Sequence, residues 1–186
     1  MSLTPSNMLP LETTAPDFQL LEPKTGQMRS LEELASDKAT VIMFICNHCP
    51  YVIHVLPELR RLTEEYSRKG VSFVAINAND IEHYPDDAPD KMVELLEEWH
   101  LNIPYLYDET QAVAKAYDAA CTPDFYVFDK DLKLAYRGRL DDARPGNDAP
   151  LTGEDLRAAL DAVLEGKPVS IAQIPSMGCN IKWKRY

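Results

Sequence analysis

The longest apolar run in the chain is residues 39–46, interrupted only by Thr40. That is the length of a strand buried on both faces, and residues 41–45 are rich in β-branched side chains. A second run of this kind spans residues 71–76. Between the two, Val52, Val55, Leu56, Leu59, Leu62 and Tyr66 recur at helical spacing. This predicts an amphipathic helix that Gly70 closes and that Pro57 should kink, because proline removes one backbone donor. Residues 17–21 and 27–29 flank the turn 23–26 and read as a hairpin. Ser30 before Leu31, Glu32 and Glu33 reads as a capping-box start to a short helix. Further on, helices are predicted over 91–99 and 110–117. A short strand is expected at 105–107, and two strands at 124–128 and 134–137. Thr152 is expected to cap a last helix that ends at Gly166. Residues 77–90, with Asp86, Asp87 and Asp90, read as a solvated acidic loop, and 167–186 show no periodicity. Strands joined through helices imply an α/β fold, a central mixed sheet with helices on both faces.

Length and composition fit one domain. The 186 residues are 45% hydrophobic and 26% charged, an ordinary globular balance. The expected organisation is an N-terminal arm (1–14), a main domain (15–166) and a C-terminal tail (167–186). Lys plus Arg number 19 against 30 Asp plus Glu, a formal net charge of −11. Such a surface repels phosphate backbones and anionic lipid, so nucleic acid and membranes are poor partners. Residues 1–20 carry no basic start, no apolar run and no small-residue cleavage site. The expected compartment is the cytoplasm, where thiols stay reduced.

Four cysteines are too few for a disulfide-built scaffold at this length. Two of them, Cys46 and Cys49, close the first buried strand where the long helix begins. Free backbone N–H groups and a partial positive charge gather at a helix start and favour thiolate over thiol, by about 0.3–1 kcal/mol from the dipole alone. His48 adds a donor or a positive charge. Together these should lower a thiol from about 8.5 toward neutral. Cys49 could then resolve a mixed disulfide. The alternatives are an inert pair and a non-enzymatic module that binds a partner or holds zinc, for which no second cysteine pair completes four ligands. No metal or organic cofactor is expected.

The segment Phe44-Ile45-Cys46-Asn47-His48-Cys49-Pro50-Tyr51 resembles the active site of the thioredoxin superfamily, and Thr122-Pro123 resembles its cis-proline loop. Residues 77–80, 136–142 and 178–184 are similar to a bacterial peroxiredoxin-like group of the AhpC/TSA, or redoxin, type. The resemblance runs from about residue 15 to 184. It implies a thioredoxin-like fold with an N-terminal hairpin and a C-terminal extension. It implies a thiol-disulfide oxidoreductase in which Cys46 attacks, being the more exposed thiol, and Cys49 resolves. It also implies substrate contact at Asn47, Thr122 and Pro123. The partners would be protein disulfides or thiols and a cellular thiol reductant.

A peroxiredoxin-like thiol peroxidase acting on hydroperoxides is the alternative. In that family the peroxide-cleaving cysteine stands at the place of Cys49, with a threonine at the place of Cys46 and a distant arginine, for which Arg137 is the candidate. Cys121, near the cis-proline, and Cys179, in the tail, are candidate accessory thiols. The buried acid of thioredoxins falls at Thr40 here, so the proton acceptor must be His48 or a group from elsewhere.

Overall fold

Strand β4 (Ala39–Phe44) has all six residues buried, and it lies inside a computed structural model that describes residues 2–186. Alternate side chains of a strand point to opposite faces, and β4 supplies two separate cores. Val41 and Met43 join one cluster, while Ile42 and Phe44 join the other. A strand buried this way needs neighbours on both edges. Strand β5 (Val71–Asn77) pairs with it in parallel and β8 (Asp124–Asp129) antiparallel.

The remaining strands of this sheet are β2 (Gln19–Glu22), β3 (Gln27–Ser30), β6 (Tyr105–Tyr107) and β9 (Leu134–Gly138). The order is β3-β2-β6-β5-β4-β8-β9, a seven-stranded mixed sheet. Helices α2 (Pro50–Ser67), α3 (Pro89–Glu98) and α5 (Glu154–Leu164) cover one face. Helices α1 (Leu31–Leu34) and α4 (Ala112–Ala116), with Leu9 and Phe18, cover the other. Ser30 caps α1 as expected, its hydroxyl accepting the Glu33 N–H at 3.2 Å. Helix α2 continues through Pro57. Its apolar stripe, six residues from Val52 to Tyr66, is fully packed, each such burial contributing about 1.5–3 kcal/mol.

The structure differs from the sequence reading in three places. Gly153 (φ +68°), not Thr152, stands at the start of α5, and the Thr152 hydroxyl accepts the Glu154 N–H from one position further out. The unpatterned tail contains strand β10 (Met177–Asn180). That strand lies between β1 (Leu3–Pro5) and β7 (Cys121–Thr122) in a second, three-stranded sheet. Finally, the acidic loop is not uniformly solvated. Residues Pro85–Asp87 form a 3-10 turn that buries Asp87 completely. No helix among the described residues is long and apolar enough to cross a membrane.

Candidate active site

Strand β4 delivers the chain to the sheet's C-terminal edge, where the Ile45 N–H still bonds the Ile76 carbonyl at 3.0 Å. Cys46 follows at once. Cys49 is the N-cap of α2, with extended backbone (φ −74°, ψ 124°), and Pro50 occupies the first helical turn, where a missing N–H costs nothing. The opposite wall is the Thr122-Pro123 segment, whose peptide bond is cis as the resemblance implied. The Thr122 hydroxyl lies 3.3 Å from the Cys46 sulfur, and the Cys49 thiol reaches the Thr122 carbonyl at 3.6 Å. All four cysteines are outside any disulfide and buried.

The two sulfurs of the pair also act on each other, and this separates their acidities. The Cys46 thiol donates to Cys49, which holds Cys46 well above its ordinary value; burial and the nearby Asp87 carboxylate push the same way. Cys49 is lowered to about 5. The Cys46 donation is the largest cause, burial opposes it, and the Cys179 thiol and the Val52 and Cys179 N–H groups add to it. The low value therefore falls on Cys49 and not on Cys46, contrary to the expectation for the first thiol. Cys46 is also not an exposed group: its relative exposure is 1%, against 0% for Cys49.

Asp87 organises the polar side of the site, and sequence reasoning missed it. Its Oδ1 accepts the Asn47 N–H at 2.7 Å and Asn77 Nδ2 at 3.2 Å, and its Oδ2 accepts Asn79 Nδ2 at 3.0 Å. His48 Nδ1 lies 2.7 Å from the same Oδ2, but off the line its N–H would take, and no other atom answers that nitrogen. Burial pushes Asp87 up, yet the close approach of His48 and donation from Asn47 and Asn79 outweigh it and leave the carboxyl below its ordinary value. The Asp87 carboxylate in turn raises His48 against burial. The His48 ring stacks on Tyr84 at 5.9 Å. The one signal that could have found Asp87 is its position in a Pro-rich turn after β5, close beside Asn77 and Asn79.

Of the other sequence candidates, Asn47 is fully engaged. Besides its N–H, its Nδ2 bonds the Asp86 carbonyl at 3.0 Å and its Oδ1 accepts from Tyr105 at 2.8 Å. Asn47 thus braces the loop. Arg137 is not at the thiols. Its Nε bonds the Leu9 carbonyl at 2.7 Å and its guanidinium bonds Gln173 at 2.7 Å, because it shares the Tyr126 face of the β8–β9 pair, away from α2. Cys121 contacts the Pro123 and Ser176 carbonyls at 3.9 Å and is pushed up by burial, so it is a packed thiol. Cys179 does join the pair, bonding Cys49 through its side chain.

Cys46, His48 and Asp87 each offer a ligand atom within 4.8 Å of the others. Three ligands fall short of a closed zinc set, and both Asp87 oxygens already take donors. Beside the cis-proline a groove opens, lined by Tyr51, Val55, Pro123, Asp141, Arg144 and Met177.

Comparison with known proteins adds the following. The Redoxin family model matches residues 10–156. A crystal structure of an uncharacterized conserved protein from Geobacillus kaustophilus is 61% identical, with TM-score 0.98 over 100% of this chain and 98% of that one. A hypothetical protein from Sinorhizobium meliloti 1021 is 44% identical, with TM-score 0.96 over 98% and 100%. At 22% identity, the fold is shared with a peroxidoxin, BcpB, of Mycobacterium tuberculosis, with TM-score 0.61 over 84% of this chain and 96% of that one. Nothing among curated proteins matches.

Proposed function

The chain belongs to the Redoxin family, and we propose that within it the protein is a thiol-disulfide oxidoreductase that turns over protein disulfides with Cys46 and Cys49. The observation that carries this reading is the two buried thiols that both contact Thr122, set between the start of α2 and the cis-Thr122-Pro123 wall. The pair holds one proton between two sulfurs. Moving that proton from Cys46 to Cys49 makes Cys46 the nucleophile. Thr122 supports both products: its hydroxyl donates to the Cys46 thiolate and its carbonyl accepts from the Cys49 thiol.

Cys46 then attacks a partner disulfide. A Cys46–partner bond forms and the partner's other sulfur leaves as thiolate. His48, kept protonated nearer neutral pH by Asp87, supplies a proton to it. Cys49 next loses its proton, which the Cys179 thiol and the Val52 and Cys179 N–H groups still favour once the Cys46 thiol is consumed, and attacks Cys46. The Cys46–Cys49 disulfide forms and the reduced partner leaves. Thr122, Pro123 and the groove beside them receive the partner's backbone. A cellular thiol reductant resets the pair in a reducing compartment such as the cytoplasm.

The test is trapping. With a model protein disulfide, Cys49→Ser should accumulate a covalent adduct through Cys46, and Cys46→Ser should give neither adduct nor turnover. An adduct through Cys49 in the Cys46→Ser variant would refute the assignment.

One observation favours a second reading, a thiol peroxidase at Cys49. The thiolate rests on the helix N-cap, the position of the peroxide-cleaving cysteine in peroxiredoxins. Against it, Cys46 replaces the threonine and Arg137 is tied to Leu9 and Gln173. Hydrogen peroxide consumption faster than disulfide exchange would select it.

A further inference from the structure

Strand β10 pairs antiparallel with β7, and the register sets Cys179 opposite Thr122 and Asn180 opposite Cys121. Directly opposite residues share one face of a sheet. The Thr122 side chain touches the Cys46 sulfur at 3.3 Å, so its partner Cys179 faces the same side. There the Cys179 thiol bonds the Cys49 sulfur, while the Tyr51 N–H of the first turn of α2 faces the Cys179 sulfur. Cys121 and Asn180 take the opposite face, which accounts for the isolation of Cys121.

The close fit is built into the preceding residue. A Cβ on Gly178 would lie 2.0 Å from the Thr122 carbonyl oxygen and 3.3 Å from Pro123 Cδ. Any side chain there would lift the strand, and Cys179 with it, from the cis-proline loop. The tail thus seats a third thiol against Cys49, on the loop where a partner's backbone would lie.

Resting on the oxidoreductase reading above, we propose that Cys179 is a third redox thiol, which accepts the disulfide from the Cys46–Cys49 pair by exchange at Cys49. The Cys179 thiolate attacks the Cys49 sulfur of the oxidised pair. The Cys49–Cys179 bond forms, the Cys46–Cys49 bond breaks, and Cys46 leaves as thiolate, taking up the proton that Cys179 lost. No oxidant or reductant is consumed in the step. The environment orders it. In the reduced protein burial, and after it the bond to Cys49, hold Cys179 up at about 12, with Lys182 working against them. Oxidation of Cys49 removes its charge and its acceptor role, so the tail thiol becomes easier to ionise once there is a disulfide to receive.

The experiment is disulfide mapping of the full chain. Reduced protein is treated with one equivalent of diamide, quenched in acid, alkylated, digested with pepsin and analysed by mass spectrometry. Wild type should yield both Cys46–Cys49 and Cys49–Cys179 linked peptides. Cys46→Ser should yield Cys49–Cys179, and Cys179→Ser only Cys46–Cys49. If wild type gives Cys46–Cys49 alone and Cys49 and Cys179 of Cys46→Ser are both alkylated, the third-thiol proposal fails and the oxidoreductase reading stands. If wild type gives no linkage among the three, both fail.

Discussion

Replacing Asp87 by asparagine tests whether this buried carboxylate organises the thiol site. The change is nearly isosteric, so its cost is one of charge and hydrogen bonds. One oxygen remains and can keep the Asn47 N–H and Asn77 donors. The other becomes an NH2 that confronts Asn79 Nδ2 and His48 Nδ1. His48 can answer by losing its proton and accepting. Asn79 cannot turn, because its Oδ1 accepts the Lys182 N–H at 2.9 Å. One buried donor is then left unsatisfied, at about 1–3 kcal/mol, and the two surviving bonds lose their charged acceptor, at about 1 kcal/mol each. Relief of the carboxylate's own desolvation offsets part of this.

The expected net loss is about 3 kcal/mol, at the low end for breaking a buried ion pair. For a chain of this size it should lower Tm by about 6–12 °C. Urea unfolding measures the first and a thermal scan the second. The electrostatics should move together with stability. His48 should fall back toward its ordinary value of about 6.5, and Cys46 should become more acidic, since Asp87 no longer opposes its ionisation. Ring-proton NMR and the pH dependence of alkylation follow these two groups. A stability change under about 0.5 kcal/mol, the range of an inconsequential surface substitution, with both titrations unmoved, would refute the reasoning.

Four further outcomes are expected. Thiolate absorbance of the reduced protein should show one thiolate at neutral pH, lost as pH falls through about 5; a Cys49→Ser variant with the same titration would contradict this. Between that value and the unfolded thiol value near 8.5 the unfolded chain binds one more proton than the folded one, so the pair makes stability rise with pH there, and fall above it because Cys46 stays protonated; denaturant midpoints across this range should change in Cys46→Ser. Asp124 is wholly buried and raised to about 7 by burial, so the folded state binds its proton where the unfolded state does not, and this contribution is lost as pH rises from about 4 through 7; Asp124→Asn should flatten that slope and unfold later than wild type at pH 8. A stabilised Cys49 thiolate favours the reduced pair, so redox equilibration should give a potential above about −270 mV, and a value at or below it would count against the reading.

The core of the fold could be read from the chain because its central elements bury whole runs of side chains. Strand β4 is a near-continuous apolar run and the stripe of α2 has an unmistakable period, and the close pair Cys46 and Cys49 sits at their junction. Asp87 was hidden because burial of a carboxylate depends on donors from Asn47, Asn77 and Asn79, and a Pro- and Asp-rich turn otherwise looks hydrated. Cys179 was a candidate accessory thiol, but its place beside the pair was hidden for another reason. Its strand has four residues, too few for a period, and is held by partners more than 50 positions away in sequence. Arg137 misled because strand alternation, which decides the face a side chain takes, depends on a register that composition does not fix. The acidity order of Cys46 and Cys49 depends on a hydrogen bond between their sulfurs, and spacing alone does not orient it.

The second sheet has a consequence for biosynthesis. A chain grows from its N-terminus, and earlier segments can fold while later ones are still being added. Strand β4, helix α2 and the cis-Thr122-Pro123 loop all precede residue 125, whereas Met177–Asn180 emerge more than 50 residues later. During that interval the edge of β7 that β10 will cover is open, and the thiols of the pair lack their third neighbour. A nascent chain of this protein therefore passes through a stage with an uncovered strand edge beside the Cys46 and Cys49 thiols, and arrival of its last strand ends the exposure.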